Sequence, residues 1–589
     1  MFLVAKQIKG HEYFYLIERE RQGKRVVTSR TIYVGNRQKL AEMLQLSASA
    51  ALPISFKAQS VGAALALATL AEELDIAKIV DAACPVRSEA VPVGQRLLLS
   101  AIHRVLAPRR DNGVRHLAAW YENSVLAEVF PDLGPALDDR RICEMLGGLT
   151  SKQVDAIEAA VVQRLIQSEG LSTHALAFDC TNFDSYAGAR SSSRLLQRGH
   201  GKSGKPLRVM GLALLATDEG MPLLTFAYPG NENDVTAFRR FLQALDRRRA
   251  SLPLALDVTV AADGGNVSKQ LLLRLEKDPR YYVMRLPPHH LDLQRCTRDE
   301  LTALGGRLKG HVWARKYHCA VYGVQRCVVD GYSRRMHQRQ LPGLRRDRDL
   351  ARAELVQLQK LLERQRQGLR RVKPLTVASV KRRVEKALAR EHMASLFQVE
   401  IAKGEGAPVL TFVESEEAWK HLDDYVLGRT LLVTNRVDWS PEQIVSASRI
   451  QSHNERLFRE LKDPGGASML PLRHRRDKAL RAHALVVVLG LMLAKVLQRR
   501  IKRAGLEAVS LDSVLRPLKE VERARVQYGK DAPAALRALA ADTWVPSART
   551  PRQVELLQAL NLLGRKELGT TLSEQLKPKK RGRRTKNAA

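Results

Sequence analysis

The sequence predicts an α/β protein: a mixed sheet interrupted by an inserted segment and flanked by helical regions at both ends. Three observations predict it. Residues 258–275, VTVAADGGNVSKQLLLRL, pass from β-branched residues through Asp263 and a Gly-Gly turn into an amphipathic helical pattern. That reads as a buried strand delivering one carboxylate to its C-terminal tip, where α/β sheets place their ligands. Around it, residues 174–286 alternate short apolar runs and helical patterns in the order β-β-β-α-β-α-β. At 589 residues the chain also exceeds a single core, so about two to four domains are expected.

Residues 1–60 carry short β-type runs, EYFYLIERE and RVVTSRTIYVG, joined at QGK, which predict an N-terminal hairpin region. Residues 61–168 are helical, with apolar residues at three- and four-residue spacing and Arg104, Arg109, Arg110 and Arg115 clustered. A DNA-binding helical region and a plain solvated basic face are equally compatible with that pattern. Residues 169–292 carry the first part of the predicted catalytic core. HALAFDCT (174–181) holds Asp179, and LRVMGLALLAT (207–217) and MPLLTFAYPG (221–230) follow. The helix NDVTAFRRFLQALDRR is capped by Asn233 or Asp234. VTVAAD and YYVMRL close the series. Three antiparallel strands followed by parallel crossovers is the order of a ribonuclease H-like sheet.

Residues 293–428 form the predicted insertion, with β-like pieces and a charged helical stretch over 350–392 whose leucines suit a paired helical arm. Residues 429–503 return to the core. RTLLVTNRV is a strand, one helix starts at Ser440 with Pro441 in its first position, and a strongly apolar helix begins at Asp477. Residues 504–589 are helical and end in KPKKRGRRTK, a basic tail expected to be disordered.

Charge narrows the partner. The chain carries 97 Lys plus Arg against 62 Asp plus Glu, a formal charge of +35. Nucleic acid is the leading polyanion to neutralise such an excess. The longest apolar run, 484–494, is too short to span a bilayer, and MFLVAKQIKG lacks the basic leader of a signal peptide, so a cytoplasmic location is expected. The six cysteines form no C-x-x-C pair and no zinc spacing, and read as reduced thiols. GHGKSGKP (199–206) imitates a phosphate-binding loop, but Pro206 stands where Ser or Thr should bind Mg²⁺, and a strand follows where a helix is needed. Trp313 reads as a sheet-face residue before a base-stacking one. His453 and His483 are not expected to bind metal, since carboxylate sites prefer hard cations.

Three acids carry the chemistry: Asp179 and Asp263 on strands, and Glu455 on a later helix. Asp263 alone would be an ordinary turn former, and Glu455 has rivals in Glu442 and Glu460. Together the three can hold two Mg²⁺ ions, with Mn²⁺ as a substitute, roughly 3.5–4 Å apart, as phosphodiester cleavage and transfer require. On the Glu455 helix, Phe458 and Lys462 share its face; Phe458 can seat the helix and Lys462 can reach a DNA phosphate. Thr181 and Asn266 are candidate supporting residues.

The segments AFDCTNF, PLLTFAYPGNENDVT, VAADGGNVS, YYVMRLP and NERLFRELK, with PLRHRRDKALRAHALVVVLGLMLA after them, resemble a DDE transposase of a bacterial insertion sequence, of the group with a β-rich insertion before the last acid. The resemblance implies cleavage at transposon ends and joining of the 3′-hydroxyl to target DNA. It implies Mg²⁺ at Asp179, Asp263 and Glu455, double-stranded DNA as partner, a homodimer on DNA, and a bacterial cytoplasmic, nucleoid-associated setting. The group's signature places Tyr and Arg before the Glu; here Ser448 and Gln451 occupy those positions, while Glu455 and Lys462 fit. Arg449, one step along, is the candidate replacement at the phosphate. The departures keep two other readings in play: a catalytically inactive DNA-binding derivative and a stand-alone metal-dependent nuclease.

Overall fold

The structure is a computed structural model describing residues 2–8, 11–22, 25–36, 38–40, 53–85, 91–107, 111–188, 191–199, 207–255, 257–277, 280–287, 296–368, 375–528 and 544–569. The phosphate-loop imitation over 200–206 and the basic tail lie outside the described residues. The chain divides into two compact units: residues 1–170, 182–210 and 458–589 form the first, and 171–181 with 211–457 form the second.

The first unit opens on β1 (Phe2–Ile8), β2 (His11–Gln22) and β3 (Arg25–Asn36), an antiparallel sheet rather than a lone hairpin. β4 (Pro53–Ser60) does not belong to it. It pairs antiparallel with a strand more than 450 residues later, Glu522–Tyr528, so the predicted 1–60 region is split between two sheets. Helices Gly62–Glu73, Val93–Leu106, Asp139–Gly148 and Ser151–Glu169 surround Asp477–Arg503. This last helix therefore packs with the N-terminal helices instead of the catalytic core to which 429–503 was assigned. It runs 27 residues, well past the 484–494 stretch, and its apolar window has mean hydropathy 1.9. By length and composition it could cross a membrane, but 89% of that window is buried, which makes it the unit's core helix. Gly490 permits that packing: a Cβ there would stand 2.6 Å from the Ala101 carbonyl oxygen.

The second unit is the sheet that positions the acids. Its ribonuclease H-like part comprises β5 (Ala175–Ser185), β7 (Arg208–Thr217), β8 (Pro222–Pro229), β9 (Thr259–Ala262) and β10 (Tyr281–Arg285). The ends of β5 and β7 beyond Thr181 and before Gly211 belong to the first unit, as does a two-residue β6 (Gln197–Arg198) that pairs the start of β7. The spatial order is β8-β7-β5-β9-β10, with β9 parallel to both β5 and β10. β5 is eleven residues long, four more beyond the predicted run. Helix Asp234–Arg248 covers one face, and Phe178 stacks against its Phe238 and Phe241 at 4.3 and 4.7 Å.

The predicted insertion is corrected at its first half. β11 (Thr302–Ala303), β12 (Val312–Val321) and β13 (Val324–Ser333) do not form a separate domain. They extend the main sheet, in the order β10-β16-β13-β12-β11, through β16 (Arg429–Thr434). β14 (Phe397–Ala402) and β15 (Val409–Glu414) form a small hairpin sheet of their own. The helical arm starts at Arg334, sixteen residues before the predicted stretch, because Ser333 caps it and Pro342 is carried inside it. Leu355, Leu358 and Leu362 pack there against Val380 and Val384 of the next helix. In the first unit, β17 (Glu522–Tyr528) and β18 (Val545–Pro546) complete the sheet begun by β4.

Candidate active site

The register of β5 and β9 sets two of the acids level. Ala177 pairs with Ala261, and Asp179 and Asp263 each follow two residues later on these parallel strands. Side chains two apart share a face of a sheet, so both carboxylates leave the same face at the same height. Asp263 is exposed, in extended backbone, and precedes a 3₁₀ turn, Gly264–Asn266. Gly264 suits the close approach there: a Cβ would lie 3.2 Å from the Arg285 carbonyl oxygen at the end of β10, a tight contact. The helix expected from Val267 starts at Lys269, capped by the Ser268 hydroxyl.

Small residues on that face let the next elements approach. Ala175, Ala177 and Ala261 form a cluster with Ile450. The helix expected to run unbroken from Ser440 is two helices, Pro441–Arg449 and Gln451–Lys462, hinged at Ile450. Ile450, at the junction, is buried in that alanine cluster. On the second helix Asn454 is fully buried and its Nδ2 donates to the Ala177 carbonyl at 2.9 Å. Glu455 follows directly and is exposed.

Electrostatics tie the acids together. Asp179 is half-buried and accepts a 2.7 Å hydrogen bond from the Cys180 amide. Burial foremost, opposed by that amide and reinforced by Asp263, Asp234 and Glu455, pushes its carboxyl up to about 6. The predicted triad is therefore brought within mutual influence, and a fourth acid joins it. Asp234 was read only as a helix cap. In the structure Asn233 takes the cap, accepting from the Thr236 amide at 2.9 Å, and Asp234 is the first helical residue. Its carboxylate lies 3.9 Å from where a Gly265 Cβ would stand, and it helps raise the Cys180 thiol and the Tyr228 hydroxyl as well. The signal was present in the sequence: two polar residues competed for one capping position, leaving one carboxylate spare.

Among the described residues, no three His, Cys, Asp or Glu side chains make a ready-made metal cage. What is present is an open set of carboxylates, one of which is raised by burial first and by the charge of the others second. That donor set fits hard divalent cations, which take oxygen ligands and would relieve the repulsion. A cavity of about 890 Å³ opens on Asp263, between the sheet and the arm, with Arg285, Gln340, Asp347, His392 and Thr430 also in its walls.

The other candidates fall out as follows. Thr181 is buried on β5, two residues past Asp179 and on its face. The Asn266 side chain lies outside the described parts. Phe458 is buried, and Lys462 holds its ammonium 5.5 Å over the Phe183 ring. Arg449 is exposed at the end of its helix; partial burial and the neighbouring Arg335 guanidinium hold its pKa below the ordinary value. Ser448 turns its hydroxyl onto its own helix at the Val445 carbonyl, 2.8 Å away, and the buried Gln451 Nε2 has no hydrogen-bond partner. The rivals of Glu455 are engaged elsewhere: Glu460 pairs with Lys495 at 2.8 Å, and Glu442 sits in the first turn of its helix. Trp313 packs with Tyr332 on the sheet, and His483 is buried against the Met469 carbonyl.

A ribonuclease H-like sheet with carboxylates level on two adjacent strands and a third on a later helix defines the polynucleotidyl-transferase type of architecture. The family described as Transposase DDE domain matches residues 187–493, more than half of the chain, and the chain belongs to that family. Asp263, Glu455 and Lys462 lie inside the matched span, and Asp179 lies eight residues before it. No curated protein matches in sequence. Among solved structures, the piggyBac transposase synaptic complex with hairpin DNA is similar at a TM-score of 0.36 and 10% identity, covering 88% of each chain.

Proposed function

We propose that this protein is the transposase of a bacterial insertion sequence. It cleaves the transposon ends and joins the resulting 3′-hydroxyl to target DNA. The observation that carries the reading is the β5–β9 register, which puts Asp179 and Asp263 level on neighbouring strands, together with the Asn454 bond to Ala177 that holds the Glu455 helix against the same strand. Asp179, Asp263 and Glu455 would hold Mg²⁺, or Mn²⁺ in its place, which would supply neutralisation of phosphate charge and activation of an attacking oxygen. The chain's own residues do the positioning. The shared β5–β9 register fixes two carboxylates, and Asn454 fixes the helix of the third. Lys462 and Arg449 supply positive charge for DNA phosphates. Such chemistry depends on placement and charge more than on a protein nucleophile. The excess of 35 positive charges suits double-stranded DNA, and joining two ends calls for a homodimer on DNA.

The test is incubation of the protein with DNA carrying the gene's own flanks, with and without Mg²⁺, beside Asp263→Asn and Glu455→Gln. Metal-dependent cutting at the flanks that both variants abolish is the expected result. A second reading, an inactive DNA-binding derivative, draws on Ser448 and Gln451, whose side chains are turned inward or buried where the family signature has Tyr and Arg. Tight binding without cutting in Mg²⁺ or Mn²⁺ would favour it.

A further inference from the structure

We infer that the N-terminal sheet β1–β3 is a docking face for unpaired DNA bases, separate from the carboxylate site. The register decides which side chains share a face. Lys6 pairs with Tyr13, Val4 with Tyr15, Ile8 with His11, and Tyr15 with Tyr33. One face therefore presents Lys6, Ile8, His11 and three tyrosines. The rings gather: Tyr33 stands 5.3 Å from Tyr15 and 6.0 Å from Tyr13, and the Lys6 ammonium lies 5.1 Å over the Tyr15 ring. Tyr33 is 42% exposed and Ile8 44%, so the cluster is open to a partner rather than closed into a core. Glu12 pairs with Gln7 and points to the opposite face, which leaves the tyrosine face without a carboxylate among the described residues.

Charge selects the occupant. Residues 1–40 carry nine Lys and Arg against three Glu, so a polyanion is complementary and an acidic protein surface would have to supply aromatic contacts as well. Tyr33 is tilted 46° and 54° from its two neighbours, so its exposed ring, with the Lys6 cation held over Tyr15 close by, suits bases whose faces are free, because stacking needs a ring face that a duplex keeps hidden. A staggered cut of the two strands at a transposon end would expose such unpaired nucleotides, and in this respect the inference rests on the function proposed above. Binding itself requires no cleavage.

The test uses the full-length protein in EDTA, with a fluorescent oligothymidylate and a hairpin duplex of equal length as probes, read by anisotropy. Tyr15→Ala and Tyr33→Ala should each weaken oligothymidylate binding about tenfold and leave the duplex nearly unaffected. Tyr33→Phe should bind as the native chain does, and Lys6→Gln should flatten the salt dependence by somewhat less than one unit of slope. Thermal melts show that each variant is folded. Unchanged oligothymidylate binding by folded Tyr33→Ala, or an equal loss for the duplex, overturns the inference. With the metal chelated, this outcome is independent of whether the carboxylate site cuts DNA.

Discussion

The side-chain amide of Asn454 donates a 2.9 Å hydrogen bond to the carbonyl oxygen of Ala177. Ala177 is two residues before Asp179, and Asn454 is one before Glu455, so a single bond sets the spacing between a strand acid and the helix acid. Replacing Asn454 with Ala removes this hydrogen bond, at a cost of about 0.5–1.5 kcal/mol. The expected outcome is a modest fall in melting temperature and a much larger fall in metal-dependent cleavage. DNA affinity in EDTA should stay unchanged. Equal losses of cleavage and binding would count against a positioning role.

Asp234 adds a fourth negative charge beside Asp179. Asp234→Asn keeps the shape and removes the charge, which weakens the pull on a divalent ion. Partners that support metal ligands typically cost 10–100-fold when removed, so roughly a tenfold rise in the Mg²⁺ needed for half-maximal cleavage is expected. A titration with an unshifted midpoint would assign Asp234 to the helix terminus alone.

Arg429 and Asp330 form an ion pair at 2.6 Å with both side chains fully buried. The guanidinium also donates to the Cys296 and Asp424 carbonyls, locking β13 to β16 beside the cavity. Asp330→Ala strands a buried cation and should cost about 3–5 kcal/mol, read as a lower denaturation midpoint. A change under about 1 kcal/mol would mean that water reaches the pair.

Acid should unfold the first unit through its histidines. Burial, reinforced by Arg104, holds His103 at about 3 and His474 at about 4, and drives His483 well below its ordinary 6.5. An unfolded chain takes up these protons near 6.5, whereas the fold resists them until far lower pH. Stability is therefore full above about 6.5 and declines as pH falls toward 4. Melting curves across this range should show the decline, and His474→Gln should make it shallower. A parallel decline in that variant would place the acid sensitivity elsewhere.

Much of this was legible in the sequence because it is local. The turn at Gly264–Gly265 marked Asp263 as a strand tip, and the apolar periodicity after Asp477 marked a buried helix that ends at Arg503. What escaped was set by distance or by competition. Nothing near Pro53–Ser60 announces that its partner is Glu522–Tyr528, since pairing between remote strands leaves no short-range pattern. β12 and β13 look like any hairpin, and only the β13–β16 register shows that they widen the main sheet. Asn454 sits among helix-forming neighbours, so its link to Ala177 has no periodic signature. Asp234 was hidden by Asn233, which offered an equally good cap.

The helical arm departs after Ser333 and returns at Gly428, and the Ser333 amide donates to the Gly428 carbonyl at 2.8 Å. To the sheet, some ninety residues are one oversized hairpin loop whose two ends touch. Closing a longer loop costs little more than closing a shorter one, growing only with the logarithm of length. An arm of another length could therefore close on the same two residues, altering the wall of the cavity beside Asp263 without disturbing the β5–β9 register that aligns Asp179 with Asp263.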